Sequence, residues 1–87
     1  MQIVKKGQAG TMQSSDLMVT VEPAEGLAIE IESTVKKQFE HLIRARLEET
    51  LTRHGVNSGK ISISDRGALD YAIEARLEAA LQRAGGA

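Results

Sequence analysis

Ser14, Ser15 and Asp16 set two hydroxyls and a carboxylate side by side, downstream of Gly10 and just before the first strongly alternating run of the chain. The segment Gly10-Thr11-Met12-Gln13-Ser14-Ser15-Asp16 reads as an exposed turn whose side-chain oxygens another protein can reach. A serine hydroxyl is a weak nucleophile at neutral pH unless a base or a metal activates it. Neither His41 nor His54 is placed by the sequence beside these serines, so self-modification is not expected, and covalent chemistry here needs a separate transferase. Taken by themselves, three such residues are more often an ordinary Asx or Ser turn than an attachment site.

The other reactive side chains have plainer explanations. His41 falls on a solvated helical stretch, and His54 falls at a helix end, where the dipole favours a cation; neither is assigned a role. Asp65, Asp70, Glu74 and Glu78 bring acids together, but without histidine or cysteine among them they read as a helix cap and a solvated ridge, and no metal is expected.

The elements that must position Ser14 follow from periodicity. Leu17, Val19 and Val21 alternate with Met18, Thr20 and Glu22, as in a half-buried strand, and Leu27, Ile29 and Ile31 alternate with Ala28, Glu30 and Glu32 in a second. The four residues Pro23-Ala24-Glu25-Gly26 between them predict an antiparallel hairpin, with Glu30 and Glu32 facing water. From Ser33 the period lengthens: Val35, Phe39, Leu42, Ile43, Leu47 and Leu51 form one stripe of a helix of about five turns, capped by Ser33 or Thr34 and stopped at Gly55. On its charged face Lys36 can pair with Glu40, and Arg44 with Glu48.

Ile61-Ser62-Ile63-Ser64 is a third short strand, and Asp65 is the expected cap of a last helix. Leu69, Ile73, Leu77 and Leu81, with Ala72, Ala80 and Ala84, form its buried face, and Gly85-Gly86 stops it; Ala72, Ala75, Ala79 and Ala80 permit close approach. The first ten residues suit either a frayed segment or an edge strand, and residues 85–87 a flexible tail. This order predicts an α+β fold: a two-layer domain over residues 1–87, its small, mostly antiparallel sheet of three to four strands covered by two helices.

Bulk properties exclude several functions. Eleven basic and twelve acidic residues nearly cancel without long runs of either sign, and Phe39 and Tyr71 are the only aromatics, so no nucleic-acid role is expected. No stretch has the length of a membrane span and no apolar run follows Lys5 and Lys6, so a soluble, cytoplasmic protein is expected. Cysteine is absent, which leaves stability to a single thin core. No nucleophile, base and orienting group stand together, which argues against a stand-alone enzyme.

The run GTMQSSD, followed by VKKQFEHLIR and by DRGALDYAIEARLEAALQRA, resembles the gamma subunit of citrate lyase, the acyl carrier protein of that complex, from about Gly7 to Ala84. The resemblance implies a non-catalytic carrier. Ser14 matches the serine that bears 2'-(5''-phosphoribosyl)-3'-dephospho-coenzyme A through a phosphodiester. Ser15 is the neighbouring hydroxyl, a position that is glycine in some members, and Asp16 shapes the turn or helps to dock the prosthetic-group transferase. The implied partners are that transferase and the alpha (transferase) and beta (citryl lyase) subunits. Between these two subunits the arm shuttles acetyl and citryl thioesters as citrate is cleaved to acetate and oxaloacetate.

Helical acyl carriers place their arm on an Asp-Ser-Leu motif opening a helix, and that motif is absent here. Gln13 stands where the family usually has glutamate, Tyr71 where many members have cysteine, and a polar C-terminal tail found in relatives is not seen after Ala87. Two other readings remain: the carrier of malonate decarboxylase, which uses the same kind of arm, and a cofactor-free interaction module.

Overall fold

A computed structural model describes residues 2–13, 16–33, 40–67 and 70–85, apart from the side chains of Ser33, Asp70 and Tyr71. In chain order the elements are β1 (Gly7–Gly10), β2 (Leu17–Glu22), β3 (Leu27–Ser33), α1 (Glu40–Arg53), β4 (Gly59–Asp65) and α2 (Asp70–Ala84). The four strands form one sheet in the order β1-β2-β4-β3, with β1–β2 and β2–β4 antiparallel and β3–β4 parallel. The expected α+β architecture is present.

The expected hairpin is not. β4 lies between β2 and β3, pairing Ile61 with both Val21 and Ile29, and Ile63 with both Val19 and Ile31. The Pro23–Gly26 link therefore passes over the start of β4, where the Gly59 N–H donates to the Gly26 carbonyl at 2.8 Å. Four residues can cross two strand spacings of about 4.8 Å each, so the short link does not force its two strands to pair. The advantage of the insertion is burial. β4 alternates strictly, with Ile61 and Ile63 buried on one face and Ser62 and Ser64 half-buried on the other, and a central position flanks both isoleucines with apolar neighbours. Returning from β3 to a parallel neighbour needs a helical crossover, which α1 supplies.

Both helices pack on the same face of the sheet, α2 over β1 and β2, and α1 against α2 and more lightly against β3. Leu17, Val19, Val21, Ile61 and Ile63 from the sheet meet Ile43, Leu47, Leu51, Ile73, Leu77, Leu81 and Ala84 from the helices. Leu42 departs from the expected stripe, since it is 55% exposed. Ala75 is exposed as well, whereas Ala80 is buried. Val35, Phe39 and Leu69, the caps at Ser33 and Thr34, and the Lys36–Glu40 pair fall wholly or partly outside the described residues. Arg44 reaches the Ile29 carbonyl at 3.3 Å.

α1 ends in a Schellman motif. The Val56 N–H donates to the Leu51 carbonyl at 2.9 Å and the Gly55 N–H to the Thr52 carbonyl at 3.0 Å, with Gly55 at φ +67° and both Val56 and Leu51 buried. Asp65 is the last residue of β4, paired with Leu17 and Ser33, and its buried carboxylate accepts the Gly67 N–H at 3.2 Å. It thus closes the strand and shapes the turn after it, in place of the direct helix cap expected. α2 stops at Ala84, and the following Gly85 bridges to Ile3, joining the two ends of the chain.

Candidate modification site

β1 and β2 are joined by residues 11–16 at the end of the sheet where β4 also finishes. Gly10 ends β1 at φ +101°, a backbone state open to glycine, and the Thr11 N–H then donates to the Leu17 carbonyl at 3.1 Å. Chain reversal is thereby set at the base of the loop. A Cβ at Gly10 would run into the Leu17 carbonyl, so the sequence needs glycine here for space as well as for φ.

Asp16 closes the other side. Its Oδ2 accepts the Thr11 hydroxyl at 2.6 Å, and its Oδ1 accepts the Leu17 N–H at 2.7 Å. Arg76, on α2, donates to both oxygens, Nε to Oδ1 at 3.2 Å and Nη2 to Oδ2 at 3.1 Å. The Asp16 backbone is held too: its carbonyl accepts the Arg66 N–H at 2.8 Å, and its N–H donates to the Gln13 carbonyl at 3.2 Å. The Thr11 hydroxyl, in turn, accepts the Gln13 N–H at 3.3 Å.

With these donors the carboxylate is strongly favoured over the acid. The Thr11 hydroxyl is the main cause, followed by the Leu17 N–H and Arg76, and together they lower the Asp16 pKa to about 2. Asp16 is accordingly a fixed anion that ties the loop to β2 and α2. Ser14 and Ser15 lie outside the described residues; the described residues on either side of them, Gln13 and Asp16, are joined by the hydrogen bond above.

No base is brought to the loop among the described residues. His41 is exposed on α1, and His54 Nε2 stands 2.9 Å from Glu78 at the α1–α2 junction, beside an Arg53–Glu74 ion pair. The acids that suggested a ridge are thus separately engaged: Asp65 with the turn after β4, Glu74 with Arg53 and Glu78 with His54. No group of three or more histidine or acidic side chains suited to a metal occurs among the described residues. The arrangement offers a chain reversal with a fixed base.

Sequence reasoning singled out Ser14, Ser15 and Asp16 but missed Arg76 and Arg66. Arg76 is 60 positions from Asp16, and its place on the polar side of an amphipathic helix gave no sign of a partner. Thr11 belongs to the segment read as an exposed turn. A hydroxyl residue five positions before an aspartate, with glycine preceding it, is the local signal that could have suggested a bridged loop.

A family model described as the malonate decarboxylase delta subunit (MdcD), of the acyl carrier protein (ACP) family, matches residues 4–84. The citrate lyase acyl carrier protein of Streptococcus uberis is 48% identical over 87 residues, covering 99% of this chain and 86% of that one. Those of Pectobacterium carotovorum and Halothermothrix orenii are 51% and 47% identical over 85 residues, each covering 97% of this chain and 88% and 90% of theirs. In fold, the chain is similar to one in the crystal structure of a Pseudomonas malonate decarboxylase hetero-tetramer in complex with malonate. There the TM-score is 0.69 at 24% identity, with 98% of this chain and 93% of that one covered. On near full-length identity to these relatives, the chain belongs to the citrate lyase acyl carrier protein family.

Proposed function

We propose that this chain is the acyl carrier subunit of a citrate lyase and that Ser14 is the anchor of its prosthetic arm, 2'-(5''-phosphoribosyl)-3'-dephospho-coenzyme A. The observation that carries the reading is the 47–51% identity to citrate lyase acyl carrier proteins over nearly the whole chain. The loop geometry supports it, because Thr11, Asp16 and Arg76 fix the base of the segment that contains Ser14, and a covalent arm needs a firm root. The chemistry also suits the residues present: a serine hydroxyl can form a phosphodiester, and the described residues supply no competing base or metal ligands.

Attachment forms a bond from Ser14 Oγ to the phosphorus of a triphosphoribosyl donor and breaks the bond to the leaving diphosphate, while the hydroxyl proton passes to a base on the transferase. When bound, the arm supplies a terminal thiol that holds an acyl group as a thioester. The protein's part is to tether, which makes transfer between neighbouring active sites effectively intramolecular. The partners in this reading are the alpha and beta subunits and the prosthetic-group transferase, and the location is the cytoplasm. Ser15 is left unmodified, and Asp16 acts by shaping the loop.

A second reading, the carrier of malonate decarboxylase, is favoured by the description of the matching family model. Intact mass after co-expression with the citrate lyase transferase, with Ser14→Ala alongside, tests the anchor: the arm's mass should appear in the wild type and be lost in the variant. Reconstitution with citrate lyase alpha and beta subunits should then restore citrate cleavage. Activity with malonate decarboxylase subunits alone would favour the second reading, and an unmodified wild type beside a working known carrier would point to the interaction module.

A further inference from the structure

We propose that the outer edge of β3, from Leu27 to Glu32, docks an extended segment of a partner protein that alternates apolar and basic residues and adds to the sheet as one more strand.

The backbone supplies the first argument. β3 is the last strand in the order β1-β2-β4-β3, so one side of it has no strand neighbour among the described residues. Which groups face that side follows from the pairing with β4. The Gly26 carbonyl accepts the Gly59 N–H at 2.8 Å and so points toward β4, and the alternation of an extended chain then turns the N–H and C=O of Leu27, Ile29 and Ile31 outward. The Ile29 carbonyl accepts the Arg44 guanidinium at 3.3 Å. The carbonyls of Leu27 and Ile31, and all three N–H groups, have no hydrogen-bond partner among the described residues. Such an edge is a template for another strand. One arginine guards it only in part, through a long bond that a partner N–H can replace.

Side chains define the segment that fits. Leu27, Ile29 and Ile31 lie on the helix-bearing face, where α1 packs only lightly against β3; Leu27 is 43% exposed and both isoleucines are partly buried. Residues opposite these three in an added strand share that face, and apolar ones complete its burial. Glu30 and Glu32 are exposed on the face away from the helices. Glu30 has Lys60 at 3.6 Å, whereas Glu32 has no ion-pair partner among the described residues. A lysine or arginine opposite them gains a cross-strand pair.

The same charges disfavour a second copy of this chain. Two antiparallel β3 strands in full register, Leu27 against Ser33, would set Glu30 directly against its own copy, and like charges so placed are destabilising. Position gives the docking a use. Ser33 pairs with Asp65, and Asp65 with Leu17, so the end of β3 stands two strand spacings, about 10 Å, from the base of the 11–16 loop. A partner seated along β3 is thereby held at the loop end of the sheet.

The test uses the full chain and a capped Lys-Val-Lys-Val-Lys-Val-Lys peptide, with a second peptide that has glutamate in place of lysine. Two further copies of the lysine peptide carry N-methyl groups, one on its valine amides and one on its lysine amides. Binding is followed by 15N–1H spectra and by amide hydrogen exchange at low salt. The lysine peptide should shift the Leu27–Glu32 resonances and, at about ten times its Kd, slow exchange of the Leu27, Ile29 and Ile31 amides about tenfold. The glutamate peptide should bind at least about tenfold more weakly. One methylated copy should lose binding and the other keep it, because only alternate amides of an added strand face β3. Glu32→Lys should weaken the lysine peptide about 3–10-fold, and Glu48→Lys, the same charge change at an exposed site on α1, less than about twofold.

Absent binding of the lysine peptide, shifts that map away from β3, or equal weakening by Glu32→Lys and Glu48→Lys would overturn the proposal. Equal binding of both methylated copies would do the same, and that comparison needs no change to the protein, so it decides even where a variant fails to fold.

Discussion

Replacing Gly10 with alanine should unfasten the loop between β1 and β2, and the size of the effect can be worked from two terms. The first is conformational. φ is +101° at Gly10, and holding a residue with a Cβ in so sparsely populated a region costs about 1–3 kcal/mol. The second is steric. The new methyl would press on the Leu17 carbonyl, 2.9 Å from its carbon and 3.2 Å from the Met18 Cα, and both are strand backbone that cannot rotate away. Overpacking of this kind costs about 1–3 kcal/mol. The lower chain entropy of unfolded alanine gives back about 0.4–1 kcal/mol, leaving a net loss of about 1–6 kcal/mol, with a middle value of about 3 kcal/mol.

For 87 residues the unfolding entropy near the midpoint is about 0.18 kcal/mol/K, so a 3 kcal/mol loss lowers Tm by about 16 °C. Gly26→Ala is the matched control. Its φ is +75°, but its Cβ would meet nothing within 4 Å, and it lies in the link at the opposite end of β2. There only the left-handed backbone cost remains, about 1–2 kcal/mol before the same entropic offset, so the drop should stay below about 9 °C. Circular dichroism melts of both variants, with arm loading measured below the lower Tm, make the comparison. Gly10→Ala should load more slowly and Gly26→Ala at the wild-type rate. A Gly10→Ala melt within about 5 °C of wild type, or equal losses in the two variants, would refute the argument that backbone crowding closes the loop.

Two further outcomes follow from the same geometry. Asp16 has a folded pKa of about 2 against an ordinary 3.8, so its contribution to stability is fully present above about pH 4 and is lost as the pH falls from about 4 to about 2. Asp16→Asn should be less stable than wild type at neutral pH, and urea melts should show the gap narrowing across that acid window; a gap constant with pH would show that the carboxylate is not held as an anion. Leu77→Ala, at a fully buried site beneath the sheet, should cost about 2–5 kcal/mol in urea denaturation, and a loss under 1 kcal/mol would mean that α2 is not the lid of the core.

Alternation and period identified both long strands, the Ile61–Ser64 strand and both helices, because apolar spacing records which face of an element is buried. The same signal could not say which strand lies beside which. Val19 and Ile29 carry identical patterning whether they pair with each other or with the two sides of β4. The hairpin expectation therefore failed at the one decision that patterning leaves open. Leu42 failed for a related reason: a helical stripe about 100° wide has edges, and only the packing of α1 against α2 decides which edge is covered.

The sequence by itself determined the loop, its serines and the family resemblance, since these are local strings of residue types. Tertiary structure alone decided what holds that loop. Arg76 reaches Asp16 only because α2 lies across β1 and β2, and Arg66 reaches it only because β4 pairs with β2 and ends beside Leu17. A contact across 60 residues depends on the fold that closes the distance, and no local spacing encodes it.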